Sequence, residues 1–446
     1  MRYPTEIISY TINRLRRRRV WKFTREAMKR QWWPRNDLLR LGENRARSLA
    51  IHALSNVPYY TQIFQNLAIN PANMNFPKEW ETIPILDKDT LRSQFDMLTA
   101  RTRHALRALM NASGGSTGKP VSFLTDLTLY DIMEANLNLV FSWAGWKPGE
   151  MCIHLWGGRK QKFSQGFLGY IRTSLAGRLV LPVYSYDENL FESWWQIVNT
   201  YKPTIIYAYP SVAAEFAAWL TNKRYKIKGI KGVFCSAETL FQAQREVIEQ
   251  GFDCKVYNQY GSRETPAVAC ECPEGNMHVF VDVNYVEFLN QSNGKDELQK
   301  IVVTPLYNYA QPLIRYDLDD VGSSLEGSCP CGRGYPLMNM EIGRQNDHLL
   351  SQDGKRIYPS FFLHLLDGKK WISQFQFRQA KLDTVDLIIE ANSCSDIEGH
   401  KEVLVSEVLP HLRRMMGNRT KLNLTVVHSI DRTPAGKFRH VINEME

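Results

Sequence analysis

No stretch of this 446-residue chain approaches 18 consecutive apolar residues, which argues against a spanning helix. Its most apolar window, Ile205 to Leu220, is broken by Pro210 and Glu215. The N-terminus has arginines but no following apolar segment with a small-residue cleavage site, so it does not read as a secretory signal. Cysteine is scarce at eight residues, and the expected compartment is the reducing cytoplasm. Close cysteine pairs there favour a metal over a disulfide. Neither an internal repeat nor a low-complexity tract is present.

Acidic residues are nearly missing from one region. Residues 1–50 hold 14 Lys/Arg against 4 Asp/Glu, a net of +10, whereas the remaining 396 hold 41 against 42, a net of −1. The basic character belongs to an N-terminal arm centred on Arg16-Arg17-Arg18-Arg19. Tyr3, Ile7, Ile8, Trp21, Trp32 and Trp33 lie among its cations. Three readings stay open: a solvated helix face, a patch for anionic membrane on the inner face, or a nucleic-acid patch. A nucleic-acid protein spreads its arginines over a binding face, and here the excess is N-terminal, so no nucleic acid is expected.

At 44% apolar and 23% charged residues the chain is an ordinary globular one, long enough for two or three domains. Residues 1–60 read as helical, with an extended turn at Asn56-Val57-Pro58. From about 105 to 310, β-rich runs (Met151 to Trp156, Leu179 to Val183, Thr204 to Ala208, Gly232 to Cys235, Cys254 to Asn258) alternate with amphipathic helices. That alternation predicts an α/β layer with a largely parallel sheet. Val279 to Leu289 and Leu298 to Thr304, joined by Asn293-Gly294, predict an antiparallel hairpin. After about 347 the composition resets to a small α+β unit. The expected organisation is a basic helical arm (1–50), a large α/β domain (51–346) and a smaller, mobile α+β C-terminal domain (347–446).

The strongest local signal is Ser113-Gly114-Gly115-Ser116-Thr117-Gly118-Lys119-Pro120. Small and hydroxyl residues let the backbone close round a phosphate, donating N–H and O–H groups, while Lys119 adds charge. A Walker A loop is excluded, because Pro120 replaces the Ser/Thr that would meet magnesium and the glycine spacing fails. Downstream come Tyr260-Gly261-Ser262-Arg263-Glu264, then Pro312 to Asp320, Gly343-Arg344-Gln345-Asn346-Asp347, and Arg432 to Arg439 with Lys437. These supply the parts of an acyl-adenylation: a carboxylate for magnesium (Glu264), one for the ribose hydroxyls (Asp320), an arginine for phosphate and a lysine on a glycine-containing loop. Such chemistry rests on positioning and charge stabilisation.

In this order the set resembles the acyl-CoA synthetase, adenylation-domain and luciferase superfamily. The similar branch is the phenylacetate–CoA ligase-like group, which includes capsular-polysaccharide-biosynthesis proteins. Asn56 to Tyr60, Tyr209-Pro210-Ser211, Ser236 to Leu240, Glu271-Cys272 with His278, and Cys329 to Arg333 carry the branch resemblance, which runs from about residue 45 to the end. It implies that Ser113 to Lys119 grip phosphate, Tyr260 and Gly261 flank the adenine and acyl pocket, and Glu264 binds Mg2+. It further implies that Asp320 binds ribose, Arg344 lies beside the nucleotide, Asp347 is the interdomain hinge and Lys437 drives adenylation. Two positions depart from the pattern: Asp319 where glycine is usual, and Arg263 where Thr or Ser is usual.

Cys270, Cys272, Cys329 and Cys331 form two C-x-C pairs with His278 nearby, a pattern suited to a four-coordinate structural zinc. The branch resemblance favours Cys272, His278, Cys329 and Cys331 as ligands and leaves Cys270 spare. Cys152, Cys235, Cys254 and Cys394 read as buried thiols. His154, at a strand end, reads either as pocket lining or as a packing histidine, and Tyr207 and Tyr209 either as an aromatic wall or as core. The expected activity is ATP-dependent conversion of a carboxylic acid to acyl-AMP with pyrophosphate release, then transfer to a thiol such as CoA. Transfer to an amine, or of AMP to a hydroxyl, stays open, as does the identity of the acid.

Overall fold

The computed structural model describes residues 19–112, 121–156, 177–183, 188–290, 299–344, 349–354, 356–357, 362, 365–366, 369, 371–391, 397–431 and 439–445. The described residues up to Leu318, with Ser323–Asn339, form one compact unit. Asp319–Gly322 and the described residues from Met340 form a second.

The first unit begins with α1 (Val20–Arg30), which buries Val20, Phe23, Thr24, Ala27 and Arg30 at helical spacing. Helix α2 (Arg35–Asn56) follows, then α3 (Pro58–Asn66), entered through the extended Val57 and started by a proline whose missing N–H costs nothing there. The short α4 (Lys88–Ser93) precedes a hairpin of β1 (Leu109–Ala112) and β2 (Ser122–Thr125). Helix α5 (Leu127–Trp143) is capped by Asp126, whose carboxylate accepts the Leu129 N–H at 2.9 Å and also the Tyr309 N–H at 2.8 Å.

The body of the unit is an eleven-stranded sheet. Its strands are β3 (Cys152–Trp156), β4 (Arg178–Pro182), β5 (Ile205–Ala208), β6 (Gly232–Ser236), β7 (Val256–Tyr260), β8 (Ala269–Glu271), β9 (Met277–Val279), β10 (Asn284–Asn290), β11 (Gln299–Pro305), β12 (Tyr316–Leu325) and β13 (Leu337–Arg344). They lie in the order β10-β11-β12-β13-β9-β8-β7-β6-β5-β3-β4. Strands β4, β3, β5, β6 and β7 are mutually parallel, linked by α6 (Glu188–Tyr201), α7 (Pro210–Lys223) and α8 (Gln242–Phe252). The parallel half is the α/β layer that the alternating pattern predicts. From β7 through β8, β9 and β13 the pairing turns antiparallel, so the sheet is mixed. The predicted hairpin is present as β10 with β11, while Asn293-Gly294 lies outside the described residues.

Alternation along each parallel strand divides the sheet into two faces. Ile153, Leu155, Leu179, Leu181, Ile206, Ala208, Val233 and Cys235 pack under Trp194, Val198, Val212, Phe216, Leu220, Ile248 and Phe252 of the three crossover helices. Each such side chain contributes about 1.5–3 kcal/mol by burial. The opposite face carries His154, Tyr207, Phe234 and Tyr257 in one row and meets Phe141 of α5.

Within the Pro312 to Asp320 motif, Arg315 proves to be a frame residue. Its guanidinium is buried against Glu287 (2.9 Å), which also accepts Trp80 Nε1 (3.2 Å), and it donates to the carbonyls of Glu81 and Ile83. Losing one partner of such a pair strands a buried charge and costs about 3–5 kcal/mol.

The second unit has a sheet ordered β18-β17-β16-β19, made of β16 (Ile372–Lys381), β17 (Thr384–Ala391), β18 (Lys421–Val427) and β19 (Val441–Asn443). The hairpin β14 (Leu349–Leu350) with β15 (Arg356–Ile357) precedes it. Helix α9 (Ile397–Met416) packs Leu404, Val408, Leu412 and Met416 onto Phe377, Val385, Leu387 and Ile389. This is the smaller α+β unit expected from the composition change.

Candidate active site and metal cluster

The carboxyl ends of parallel strands are where open α/β sheets hold ligands. Two of the motifs meet there. Ser211, in the first turn of α7, donates its backbone N–H (3.2 Å) and its hydroxyl (2.7 Å) to Glu238, in the turn after β6. Ala237, between those strands' ends, takes a positive φ of 73°.

The turn after β7 is built on Ser262. Its hydroxyl oxygen accepts the N–H groups of Glu264 (3.2 Å) and Thr265 (3.0 Å), and its own N–H donates to the Thr265 carbonyl (3.0 Å). Gly261 is required by space, since a Cβ there would lie 3.0 Å from Ala267 N and 3.1 Å from Thr265 O. Glu264 is thereby fixed with 5% of its surface exposed, and no cation pairs with it among the described residues. Arg263 reaches across to donate to the carbonyl of Ala112 at 3.0 Å. Ala112 is the residue before Ser113, so the Glu264 turn is braced against the stem of the phosphate-type loop. Arginine in place of the usual small hydroxyl residue supplies that brace.

Ser113 to Lys119, Asp347 and Lys437 lie outside the described residues, as does the Arg344 side chain, although Arg344 closes β13. Asp320 is half-buried on β12 and is grouped with the second unit. The other departure from the motif has a local reason. Asp319 takes φ 60°, a left-handed conformation in which glycine is the default and aspartate is among the few tolerated alternatives.

The cysteine pairs converge on a single cluster within the first unit. Ligand atoms of Cys272, His278, Cys329 and Cys331 all lie within 4.8 Å of one another. Cys272 follows β8 in a turn closed by Gly275 N–H to the Cys272 carbonyl, His278 sits on β9, and Cys329 and Cys331 occupy the loop between β12 and β13. The Cys272 and Cys329 sulfurs are 3.6 Å apart, and Cys331 Sγ is 3.2 Å from His278 Nε2. A disulfide would need about 2.05 Å, whereas the edge of a tetrahedral zinc–thiolate site is about 3.8 Å for metal–sulfur bonds of about 2.3 Å. His278 Nδ1 lies 3.3 Å from the Tyr335 carbonyl, which orients the ring and leaves Nε2 toward the sulfurs. Burial, with the charges of Arg333 and Arg35, pushes His278 down to about 4, so the ring is neutral at pH 7. Burial pushes Cys272 up to about 12. Burial would also raise Cys331, yet hydrogen bonds from Arg333 hold it below the usual thiol range. Cys270, one strand position from the cluster, is buried and takes no part in it. Cys152 and Cys235 are buried, as expected, whereas Cys254 is only half-buried; Cys394 lies outside the described residues.

The cluster loop is tied to the end of α1. Gly334 N–H donates to the Gln31 carbonyl (2.9 Å), Arg333 Nε to Gln31 Oε1 (3.0 Å), and the Arg333 guanidinium sits over Trp143 (4.6 Å) and Trp32 (5.1 Å). Any side chain at Gly334 would collide with the Trp33 carbonyl. No local sequence pattern marks this junction, because its two halves lie some 300 positions apart.

Residues 349–444 match the CapK C-terminal domain family. Protein CapK of Staphylococcus aureus is 25% identical over 428 residues, spanning 92% of this chain and 90% of that protein. A phenylacetate-coenzyme A ligase of Thermus thermophilus is 26% identical over 429 residues, spanning 91% of this chain and 94% of that one. Among solved structures, 2-hydroxyisobutyryl-CoA ligase in its postadenylation state superposes with a TM-score of 0.75 at 21% identity, covering 93% of this chain and 91% of that one.

Proposed function

Because this chain is a member of the adenylate-forming superfamily, on the phenylacetate–CoA ligase-like branch, we propose that it joins a carboxylic acid to a thiol through acyl-AMP. In the first half-reaction a carboxylate oxygen attacks the α-phosphorus of ATP and pyrophosphate leaves. In the second a thiol sulfur, that of CoA by analogy with the ligase relatives, attacks the carbonyl carbon and AMP leaves.

The observation that carries this reading is the buried Glu264, unpaired with any cation among the described residues, on a turn braced by Arg263 against the stem of the Ser113–Lys119 loop. That carboxylate suits the Mg2+ accompanying ATP, which would screen the phosphates during attack. The remaining roles follow the family pattern: Tyr260 and Gly261 beside the nucleotide, Asp320 on the ribose, Arg344 near phosphate, Lys437 on the reacting carboxylate and Asp347 as pivot between half-reactions. Zinc held by Cys272, His278, Cys329 and Cys331 would have four protein ligands and no open position, so it would brace the loop and do no chemistry. With ATP, Mg2+ and a panel of carboxylic acids, pyrophosphate release is expected for at least one class of acid, and added CoA should convert the intermediate to a thioester. No acid-dependent pyrophosphate across the panel would defeat the reading.

Among the described residues no helix is long and apolar enough to cross a membrane. Contact with a membrane surface is a separate part of the proposal. Helix α1 turns Lys22, Arg25 and Lys29 outward on one stripe, and Trp32 and Trp33 beyond it are 54% and 42% exposed. Cations leading into exposed indoles suit an anionic lipid surface. The protein should co-sediment with phosphatidylglycerol vesicles at low salt and release as salt rises. Changing Lys22, Arg25 and Lys29 to Gln should weaken binding about 100-fold, at ~1 kcal/mol per basic residue. Equal binding to neutral vesicles would assign the contact to the tryptophans instead.

A further inference from the structure

Strands β3, β5, β6 and β7 present two successive rows on the sheet face away from α6, α7 and α8. The inner row is His154, Tyr207, Phe234 and Tyr257, set by strand register. The outer row, two residues nearer the carboxyl ends, is Trp156, Tyr209, Ser236 and Gln259. Aromatic rings line the β3–β5 side: Trp156 stacks on Tyr207 (5.0 Å) and leans on Tyr209 (4.3 Å), and His154 meets Tyr207 edge-on at 5.0 Å. The Tyr207 hydroxyl is engaged with Ser236.

His154 is 8% exposed, and among the described residues its Nε2 finds no hydrogen-bond partner. Gln259 Oε1, on the same face, is likewise unpartnered among the described residues. Buried polar atoms are almost always paired, and an orphan on a sheet face one row below the carboxyl ends of its strands marks a place that a ligand entering from those ends completes. Burial and the charge of Arg178 hold the imidazole well below its usual range, so it is neutral and able to accept or donate one bond. The Glu264 turn follows β7, three strands from β3, or ~14 Å at the usual strand spacing.

We propose that His154 reads a hydroxyl on the tail of the acid, and that the substrate is a ring-bearing hydroxylated carboxylic acid. This rests on the acid-activation reading above and adds the class of acid to it. A purely apolar tail would leave His154 Nε2 unpaired in the complex, which is how a site built to hydrogen-bond a hydroxyl rejects the analogue lacking one.

The test uses matched pairs, phenylacetate with 4-hydroxyphenylacetate and cinnamate with 4-hydroxycinnamate, in the pyrophosphate-release assay. For at least one pair the wild type should favour the hydroxylated acid by about 100-fold or more in kcat/KM. His154→Leu should collapse that ratio below about 10-fold, and His154→Gln should keep part of it. The free His154→Leu protein should melt no lower than wild type, since an orphaned polar atom is removed. A packing histidine would behave oppositely, with a lower melting temperature and an unchanged ratio, and that result overturns the inference. Pyrophosphate released equally by both members of every pair also overturns it while leaving acid activation standing. Release with no acid at all defeats the parent reading, and this inference with it.

Discussion

Replacing Lys437 by alanine should slow acyl-adenylate formation, measured as acid-dependent ATP–pyrophosphate exchange, by two to three orders of magnitude. As the carboxylate attacks, negative charge concentrates on the α-phosphoryl oxygens and the departing pyrophosphate, and a cation aimed at that point stabilises the transition state more than the ground state. Loss of such a contact costs about 3–4 kcal/mol. Lys437 falls between β18 and β19, whose partners β17 and β16 pair with each other elsewhere along their length. The substitution should therefore leave that frame and its melting temperature unchanged. The drop should appear equally in kcat and in kcat/KM, the pattern of an interaction made only in the transition state. Exchange at a near wild-type rate in a folded Lys437→Ala protein would remove this lysine from the chemistry.

Protein purified without chelator should contain about one zinc per chain, and Cys329→Ser should lose most of it along with several kcal/mol of stability. For a domain of this size that is a fall in melting temperature of roughly 5 °C or more. The loss should not stay local. Gln31 receives both Arg333 and the Gly334 N–H, so loosening the cluster loop should expose α1 to protease before the parallel half of the sheet opens. Cys270→Ala is the control: its thiol is outside the cluster, and its metal content should match wild type. Metal-free wild-type protein, or a Cys270→Ala protein that also loses the metal, would refute this ligand set.

The candidate chemistry was legible where residues close in sequence would act together. Tyr260 to Glu264 reads as a site element because one turn holds all of it, and Ser262 organises that turn through bonds to residues two and three positions away. The parallel strands were legible from runs such as Ile205 to Ala208, which alternate with amphipathic helices at the spacing crossover connections require. The antiparallel continuation through β8, β9 and β13 was not, because three-residue strands carry too little periodicity to register. Arg315 looked like part of a nucleotide motif, yet its partners Glu287 and Trp80 belong to distant segments that assign it to the frame.

By itself, then, the sequence determined the class of fold, the adenylate-forming motifs and the four metal-binding candidates. Each of these is written in local patterns of apolar spacing, glycine, charge and cysteine. Only the tertiary structure decided that Cys272 and His278 meet Cys329 and Cys331 within 4.8 Å, that Arg263 braces the stem of the phosphate-type loop, and that His154 is buried without a partner for Nε2 among the described residues. The physical reason is common to all three. Burial, and the pairing of a polar atom, depend on what the folded chain brings from far along its length, and no local pattern encodes a neighbour fifty or a hundred and fifty residues away.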